Sequence, residues 1–206
     1  MDGLKLSLLG PFTAVLNGQP IERFRTNRVQ ALLVYLATET GAGQRSFARE
    51  SLTDLLWPGL PQRAAQTNLR TTLYRLKQGA PKLVLDRDVD PVPLLLTDRK
   101  RVQLNPAYPL WLDVSDFLRG LRGSGEAQAG AVALYRGDFL QDFYLPDAET
   151  FEEWAAARRG AYRREVLDAL SSLTEHSIEN HEYRTPKGTR AASWNLTICG
   201  RARTVS

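Results

Sequence analysis

The spacing of apolar residues changes along the first 105 residues, and this change limits the folds open to the chain. Leu4 to Leu9 alternates apolar and polar side chains, and Asn17-Gly18 then separates two further extended pieces. Asn-Gly between extended segments is a strong hairpin signal, because both residues tolerate the positive φ angles of a tight turn. The N-terminus is therefore predicted to form a small antiparallel sheet.

Helical spacing replaces this alternation after residue 26. Thr26 is placed to cap a first helix, and Ser46 is placed to cap a second helix. Pro61 lies at the start of a third helix, which is predicted to run to about Gln78. Apolar residues recur at i, i+3, i+4 and i+7, which puts them on one face of a helix. In the first two helices these residues are Val29, Leu32, Leu33, Leu36 and Ala37, and then Ala48, Leu52, Leu55 and Leu56.

A second hairpin is predicted after the three helices. Residues 94–97 and 101–105 read as short strands, and residues 98–100 form the turn between them. The order of sheet, three helices and hairpin predicts an α+β fold, a winged helix-turn-helix domain over residues 1–105.

Residues 110–183 have a different character and are predicted to form an all-α domain. Short helices are expected at 115–121 and 127–135, and a long helix from about Glu149. A helical hairpin of this size needs a neighbour to bury its apolar face, so stacking like that of tetratricopeptide repeats (TPR) is expected. Residues 184–206 lack acidic residues and helical period, and are predicted to be a disordered basic tail.

Charge is distributed unevenly over these three parts of the chain. Residues 1–105 contain 15 Lys and Arg against 9 Asp and Glu, residues 106–183 contain 7 against 14, and residues 184–206 contain 5 against none. The resulting +6, −7 and +5 give the net charge of +4. Such asymmetry predicts a segment that binds a polyanion, with ordinary solvated surface charge as the alternative.

The third helix, residues 61–78, has the composition of a helix that reads DNA bases. Its predicted outward side chains, the recognition face, are Arg63, Gln66, Thr67, Arg70, Thr71, Tyr74 and Lys77. Arg, Gln and Thr contact base edges in the major groove. No acidic residue lies between Gln62 and Lys82, which suits a surface that faces phosphates. A plain amphipathic surface helix is the alternative.

Further basic residues are candidates for contacts to the DNA backbone. Arg99, Lys100 and Arg101 lie together at the turn of the second hairpin, where the wing of a winged helix would be. Phosphate contacts are also possible for Lys77 and for the arginines before and at the start of the first helix, which are Arg23, Arg25 and Arg28. Solvation of a turn or of a sheet edge is the alternative for each of them.

Enzymatic function is not expected. The chain contains no GxxxxGK[ST] phosphate loop and no GxGxxG after a strand. Its two histidines, His176 and His181, lie five residues apart on a helix, about 140° around the axis, so they could not bind one metal ion together. No catalytic residue, no metal site and no cofactor is predicted.

The sequence also favours a cytoplasmic protein that does not enter a membrane. No apolar run approaches the roughly 20 residues that cross a bilayer. The N-terminus lacks the basic and apolar regions of a secretory signal. The single cysteine, Cys199, cannot form an internal disulfide.

Protein interaction and RNA binding are the two alternatives to DNA binding. The chain could be a protein-interaction module, an adaptor whose acidic helical half is the active part and whose basic half docks it to a partner. RNA binding would require exposed aromatic residues at alternate positions of a strand, and that pattern is absent.

The order of several short motifs resembles that of the SARP family, bacterial antibiotic regulatory proteins. The motifs of the first half are Leu8 to Phe12, Asn17 to Ile21, Arg28 with Ala31 to Ala37, Leu55 to Pro58, and Asn68-Leu69-Arg70 with Leu73 and Leu76. Those of the second half, which resembles the family's bacterial transcriptional activation domain (BTAD), are Leu112-Asp113-Val114, Phe117, Ala133 to Leu140, and Phe151 to Trp154 with Arg158-Arg159. The resemblance covers about residues 4–183.

The resemblance implies a transcriptional regulator, an activator, with an OmpR-like winged helix that binds direct repeats in double-stranded DNA near promoters. It places the recognition face in the major groove and residues 98–101 as the wing on the backbone. It also implies a TPR-like helical domain that helps to form a homodimer and to recruit RNA polymerase.

Two departures from the family are visible. The chain contains no phosphate-accepting receiver domain and no ATPase module. The acidic residues and the helical period also stop near Arg184, so the BTAD of residues 110–183 is expected to be incomplete, and the chain to be truncated or read out of frame after about Glu182. A natural basic tail is the alternative.

Overall fold

The N-terminal sheet begins with the predicted hairpin. The computed structural model describes residues 3–21, 24–79 and 91–182, with side chains of the last helix described through residue 175. Strands β1 (Leu4–Ser7), β2 (Thr13–Leu16) and β3 (Gln19–Pro20) pair antiparallel in that order. The turn between β2 and β3 has positive φ angles at both residues, 51° at Asn17 and 81° at Gly18. This is the turn geometry that favours Asn-Gly, and it confirms the predicted hairpin.

A fourth strand joins this sheet from far along the chain. Strand β7 (Leu110–Leu112) pairs parallel with β1, with Lys5 opposite Trp111. The prediction that residues 110–183 are all-α is therefore wrong at their first three residues. Three residues are too few to show a period, and parallel pairing over this sequence distance leaves no local signal.

Two of the three predicted helices start where expected. Helix α1 (Asn27–Gly41) begins after Thr26, whose hydroxyl oxygen accepts a hydrogen bond from the Val29 N–H at 3.4 Å. Helix α3 (Gln62–Gly79) follows Pro61, as predicted. Both helices bury one face against the shared core.

The predicted cap of the second helix is wrong. Residues Phe47–Ala48 form a short strand, β4, and helix α2 (Arg49–Leu56) begins only after it. Ser46 therefore lies too early to cap α2, and its hydroxyl oxygen instead accepts a hydrogen bond from Arg101 at 3.1 Å. Pairing of β4 with the second hairpin shortens the helix that local spacing predicts.

The second hairpin forms as predicted. Strands β5 (Leu95–Thr97) and β6 (Arg101–Leu104) pair antiparallel, with Thr97 opposite Val102. β4 pairs with the other edge of β6, so the small sheet has the order β4-β6-β5.

Three helices form most of the second half. They are α4 (Asp113–Leu121), α5 (Glu126–Leu134) and α6 (Glu149–Glu182), close to the predicted ranges. α4 and α5 approach closely at Gly120, where an added Cβ would lie 2.8 Å from the Cβ of Ala131. The predicted tail, residues 184–206, lies outside the described part of the chain.

Buried contacts join the two halves into one core, which runs from β1 through α1–α3 to Phe117, Phe139 and Phe151. Asp113, 1% exposed, joins the start of α4 to the segment after β1: its Oδ2 accepts hydrogen bonds from the Leu8 and Leu9 N–H groups at 2.8 and 3.0 Å. Burial raises the pKa of Asp113, and three backbone N–H donors oppose that rise.

No helix in the described ranges is both long enough and apolar enough to cross a membrane.

Candidate nucleic-acid interface

The two faces of α3 are those that the sequence predicts. Ala65, Leu69, Leu73 and Leu76 are at most 4% exposed and pack into the core. The outward residues Arg63, Gln66, Thr67, Arg70, Thr71, Tyr74 and Lys77 are all exposed. Tyr74 is 63% exposed, which is unusual for so large an aromatic ring. α3 therefore presents its basic and amide side chains to solvent and not to the acidic half.

The two threonines of the recognition face use their hydroxyl hydrogens within the helix. Thr67 donates to the Arg63 carbonyl at 3.0 Å, and Thr71 donates to the Thr67 carbonyl at 3.2 Å. The outward groups of each threonine are therefore a methyl and an oxygen lone pair. A methyl suits contact with a thymine methyl, whereas a phosphate oxygen would need a donor.

The tip of the second hairpin, residues 98–101 (the hairpin tip), is held in shape by Asp98. Its Oδ1 accepts hydrogen bonds from the Lys100 and Arg101 N–H groups, each at 2.7 Å. These two donors lower the pKa of Asp98, so the carboxylate stays ionised at neutral pH. The Asp98 carboxylate is therefore used for hydrogen bonds within the turn. These bonds hold the backbone from which Arg99, Lys100 and Arg101 extend.

α3 and the hairpin tip border one cleft of about 480 Å³, the α3–hairpin cleft. Its basic lining residues are Arg49, Arg70, Arg99, Lys100 and Arg101. Gln66 of the recognition face also lines it, and among the lining residues Glu50 is the one carboxylate. The cleft therefore brings together side chains from α2, α3 and the hairpin tip, with cations in excess.

Arg49 also lines this cleft, and it is not among the residues that the sequence predicts for the site. Its Nε donates to the Asp98 carbonyl at 2.9 Å, and its backbone N–H donates to the Lys100 carbonyl at 2.9 Å. Arg49 is the first residue of α2, where the helix dipole disfavours a cation. A basic residue at the first position of a helix could have indicated this site. The sequence instead predicted that Ser46 caps the helix, so Arg49 was not expected at its start.

Lys77 links α3 to the second hairpin. Its Nζ donates to the Thr97 hydroxyl at 2.9 Å, while the side chain stays exposed. The ammonium group has two further N–H donors, so it can still meet a phosphate oxygen at the end of α3.

Arg28, a predicted phosphate contact, makes hydrogen bonds within the protein. Its Nη2 donates to the Pro146 carbonyl at 3.1 Å, its Nε donates to the Leu56 carbonyl at 3.2 Å, and its guanidinium lies 5.8 Å from the centre of the Trp57 ring. These contacts tie the start of α1 to α2 and to the loop before α6. Arg25 is exposed, and Arg23 lies outside the described residues.

No group of three or more His, Cys, Asp or Glu residues in the described ranges could hold a metal ion. The imidazoles of His176 and His181 lie outside the described side chains.

Comparison with solved structures shows a similarity of fold. No protein-family model matches the chain, and no curated protein matches its sequence. Among solved structures, Mycobacterium tuberculosis EmbR, in complex with a low affinity phosphopeptide, is similar with a TM-score of 0.64 and 21% sequence identity. The match covers 88% of this chain and 47% of EmbR, so the chain spans about half the length of that protein. At this identity the likeness shows a shared fold of small sheets and helices.

Proposed function

We propose that this chain is a sequence-specific transcription regulator of the SARP type that binds double-stranded DNA at the α3–hairpin cleft. One observation carries the proposal. Five basic side chains from α2, α3 and the second hairpin line a cleft, and the exposed face of α3 beside that cleft contains no carboxylate. Such a surface is complementary to phosphates, which dominate the affinity of proteins for DNA. A solvated helix would more commonly mix both signs of charge.

α3 is the element that enters the major groove in this proposal. Its 18 residues span about 27 Å at 1.5 Å per residue, and the groove, about 12 Å wide, admits one helix. Gln66 and Arg70 are one helical turn apart on the exposed face. Gln can pair with adenine and Arg with guanine through two hydrogen bonds each. These two side chains are therefore the proposed readers of sequence.

The hairpin tip and the start of α2 contact the DNA backbone. Lys100 and Arg99 project from the turn that Asp98 fixes, and Arg49 joins them across the cleft. Arg25 and Lys77 are candidates for further phosphate contacts at the two sides of this surface. Contacts of this kind fix the position of a protein on the duplex without reading its sequence.

Three observations support the proposed family. The order of elements, a sheet, three helices and a hairpin beside the third helix, is that of a winged helix-turn-helix. The motifs that resemble the SARP family also lie on this framework in the same order, and EmbR has a similar fold. The TPR-like character of α4–α6 belongs to the same proposal.

The acidic helical half is proposed to make the protein contacts of the regulator. RNA polymerase is the proposed partner for activation, and a second copy of the chain is the proposed partner for binding direct repeats. Leu167 and Leu170, 55% and 44% exposed on α6, are candidate contact residues for such partners.

Selection of duplexes from a random pool with the purified chain tests the proposal. We expect enrichment of one motif, and tighter binding of a fluorescein-labelled duplex that contains it than of a scrambled duplex. The doubly substituted variant Gln66→Ala, Arg70→Ala should lose most of this preference, whereas Arg164→Ala on the exposed side of α6 should keep it. No enrichment, together with binding of a protein partner through α6, would instead favour the adaptor function.

A further inference from the structure

A second pocket of about 480 Å³ lies between the two halves, away from the α3–hairpin cleft. The C-terminal end of α1, the connection from β6 to β7, and α4 surround it, and we name it the α1–α4 pocket. It shares no lining residue with the α3–hairpin cleft. Its volume lies in the range of roughly 300 to 1,000 Å³ that is typical of small-molecule sites.

The inner wall of the pocket is apolar and partly aromatic. Leu104 and Leu112 are each 5% exposed, and Tyr108 is 4% exposed. Trp111 forms a further wall, and its indole Nε1 donates to Asp116 Oδ2 at 2.8 Å, which fixes the plane of the ring. A fixed indole offers a flat surface against which another flat molecule can stack.

One buried side-chain oxygen at the pocket has no hydrogen-bond partner among the described residues. The Thr40 hydroxyl oxygen is buried and makes no hydrogen bond within the described part of the chain. Buried polar atoms are normally paired, because leaving one unpaired costs stability. The oxygen is shielded in the ligand-free chain, so the Thr40 side chain has to turn about χ1 for a ligand's donor or acceptor to satisfy it.

The rim of the pocket carries an uncompensated positive charge. The Asp116 carboxylate is already paired with Arg119 and with the Trp111 indole. Arg45 is exposed, lines the pocket and has no ion pair with any described residue. The lining residues therefore hold two guanidinium groups against one carboxylate.

From this geometry we propose that the α1–α4 pocket binds a small, flat and mostly apolar molecule with one carboxylate. The ring system stacks on Trp111, the carboxylate pairs with Arg45, and a polar atom of the ligand bonds to the Thr40 hydroxyl once that side chain has turned. Binding at this place is independent of DNA binding at the α3–hairpin cleft, so the two proposals can fail separately.

Titration of the ¹⁵N-labelled full chain with 2-naphthoate tests the proposal, followed by NMR of the tryptophan indole N–H groups. The spectrum of Trp111→Phe assigns the Trp111 signal. We expect a saturable shift of this signal with 2-naphthoate, and weaker binding of the uncharged 2-naphthamide. Absence of a saturable shift at Trp111 with both probes would overturn the proposal.

Two variants test the assigned contacts. Arg45→Gln should weaken 2-naphthoate binding about fivefold, the upper range for an exposed ion pair, and leave 2-naphthamide binding unchanged. Thr40→Val should weaken both probes about fivefold through the lost hydrogen bond. The control Arg164→Gln, whose residue lies outside the pocket lining, should bind as the parent chain does. Equal 2-naphthoate affinity of Arg45→Gln and the parent chain would overturn the proposal. Arg45 is exposed, so its substitution should not disturb folding, and the NMR spectrum of the variant checks this.

Discussion

Glu39 and Arg158 form an ion pair that joins α1 to α6. Glu39 Oε1 accepts hydrogen bonds from Arg158 Nη2 at 2.6 Å and Nε at 3.0 Å, and from Trp154 Nε1 at 2.7 Å. Glu39 is only 8% exposed, so its carboxylate depends on these donors to offset the loss of water. The Trp154 ring also packs edge-on against Tyr35, with ring centres 5.0 Å apart. These contacts fix α6 against α1, which in turn packs on α2 and α3, the helices of the proposed DNA-binding surface.

Removal of the Glu39 charge should destabilise the whole chain. Glu39→Gln leaves an amide in front of three N–H donors, and we expect the free energy of unfolding to fall by about 1–3 kcal/mol. Urea unfolding followed by far-UV circular dichroism measures the loss. Glu153→Gln, at an exposed position on α6, is the matched control and should change stability little. Equal effects of the two substitutions would mean that the ion pair contributes nothing to stability.

Two helical glycines should respond to alanine in opposite directions. At Gly120 an added Cβ would lie 2.8 Å from the Ala131 Cβ and 3.1 Å from the Ala127 carbonyl, whereas at Gly130 nothing lies within 4 Å. Gly120→Ala should therefore lower the unfolding free energy by about 1–2 kcal/mol through overpacking. Gly130→Ala should raise it by about 0.5–1 kcal/mol, because alanine favours the helix.

Thermal unfolding of both alanine variants beside the parent chain measures the difference. A rise in Tm for Gly120→Ala would contradict the close packing of α4 on α5 at this point.

The Asp138–Arg163 pair should make stability depend on acid. The hydrogen bond from Arg163 is the largest cause of a pKa of Asp138 below its ordinary value of 3.8. The pKa of Asp138 is lower in the folded chain than in the unfolded chain. The contribution of Asp138 to stability is therefore fully present above the unfolded value of 3.8, and it is lost as the pH falls through the folded pKa. We expect the Tm difference between the parent chain and Asp138→Asn to be present at pH 6 and to shrink as the pH falls to 3. A difference that stays constant over this range would show that the pair does not determine it.

Local pattern was enough to predict the hairpin at Asn17-Gly18 and the exposed face of α3. In both cases the information lies within one turn or one helical period, so no distant contact is needed to fix it. The exposed set on α3 matches the predicted set because the core contacts only one side of that helix.

Distant contacts account for what the sequence did not predict. β7 is defined only by its pairing with β1, roughly a hundred residues earlier, and the true start of α2 depends on pairing of β4 with β6. The hydrogen bonds from Arg28 to the Pro146 and Leu56 carbonyls could not be predicted, because both partners are distant in the sequence. Arg49 was overlooked because its place in the cleft depends on the hairpin tip.

Arg70 and Lys100 should differ in how they affect DNA preference. Arg70→Ala should weaken binding to the selected duplex by roughly 1–3 kcal/mol and relax the preference at one base pair, if Arg70 pairs with a guanine. Lys100→Ala should weaken binding to selected and scrambled duplexes about equally, because a phosphate contact carries no sequence information. Fluorescence anisotropy with duplexes substituted at each position measures both. Uniform losses for both variants would refute the assignment of Arg70 as a reader of sequence.

The salt dependence of DNA affinity tests the α3–hairpin cleft most directly. Because Arg70 is the proposed base reader, we count the other four cations of the cleft: if each neutralises one phosphate, a plot of log affinity against log salt concentration should have a slope of about −3.6. Arg49→Gln should make the slope shallower by about 0.9, since one phosphate contact is lost, and Arg164→Gln should leave it unchanged. A slope near zero, or the same slope for Arg49→Gln as for the parent chain, would contradict DNA binding at this cleft.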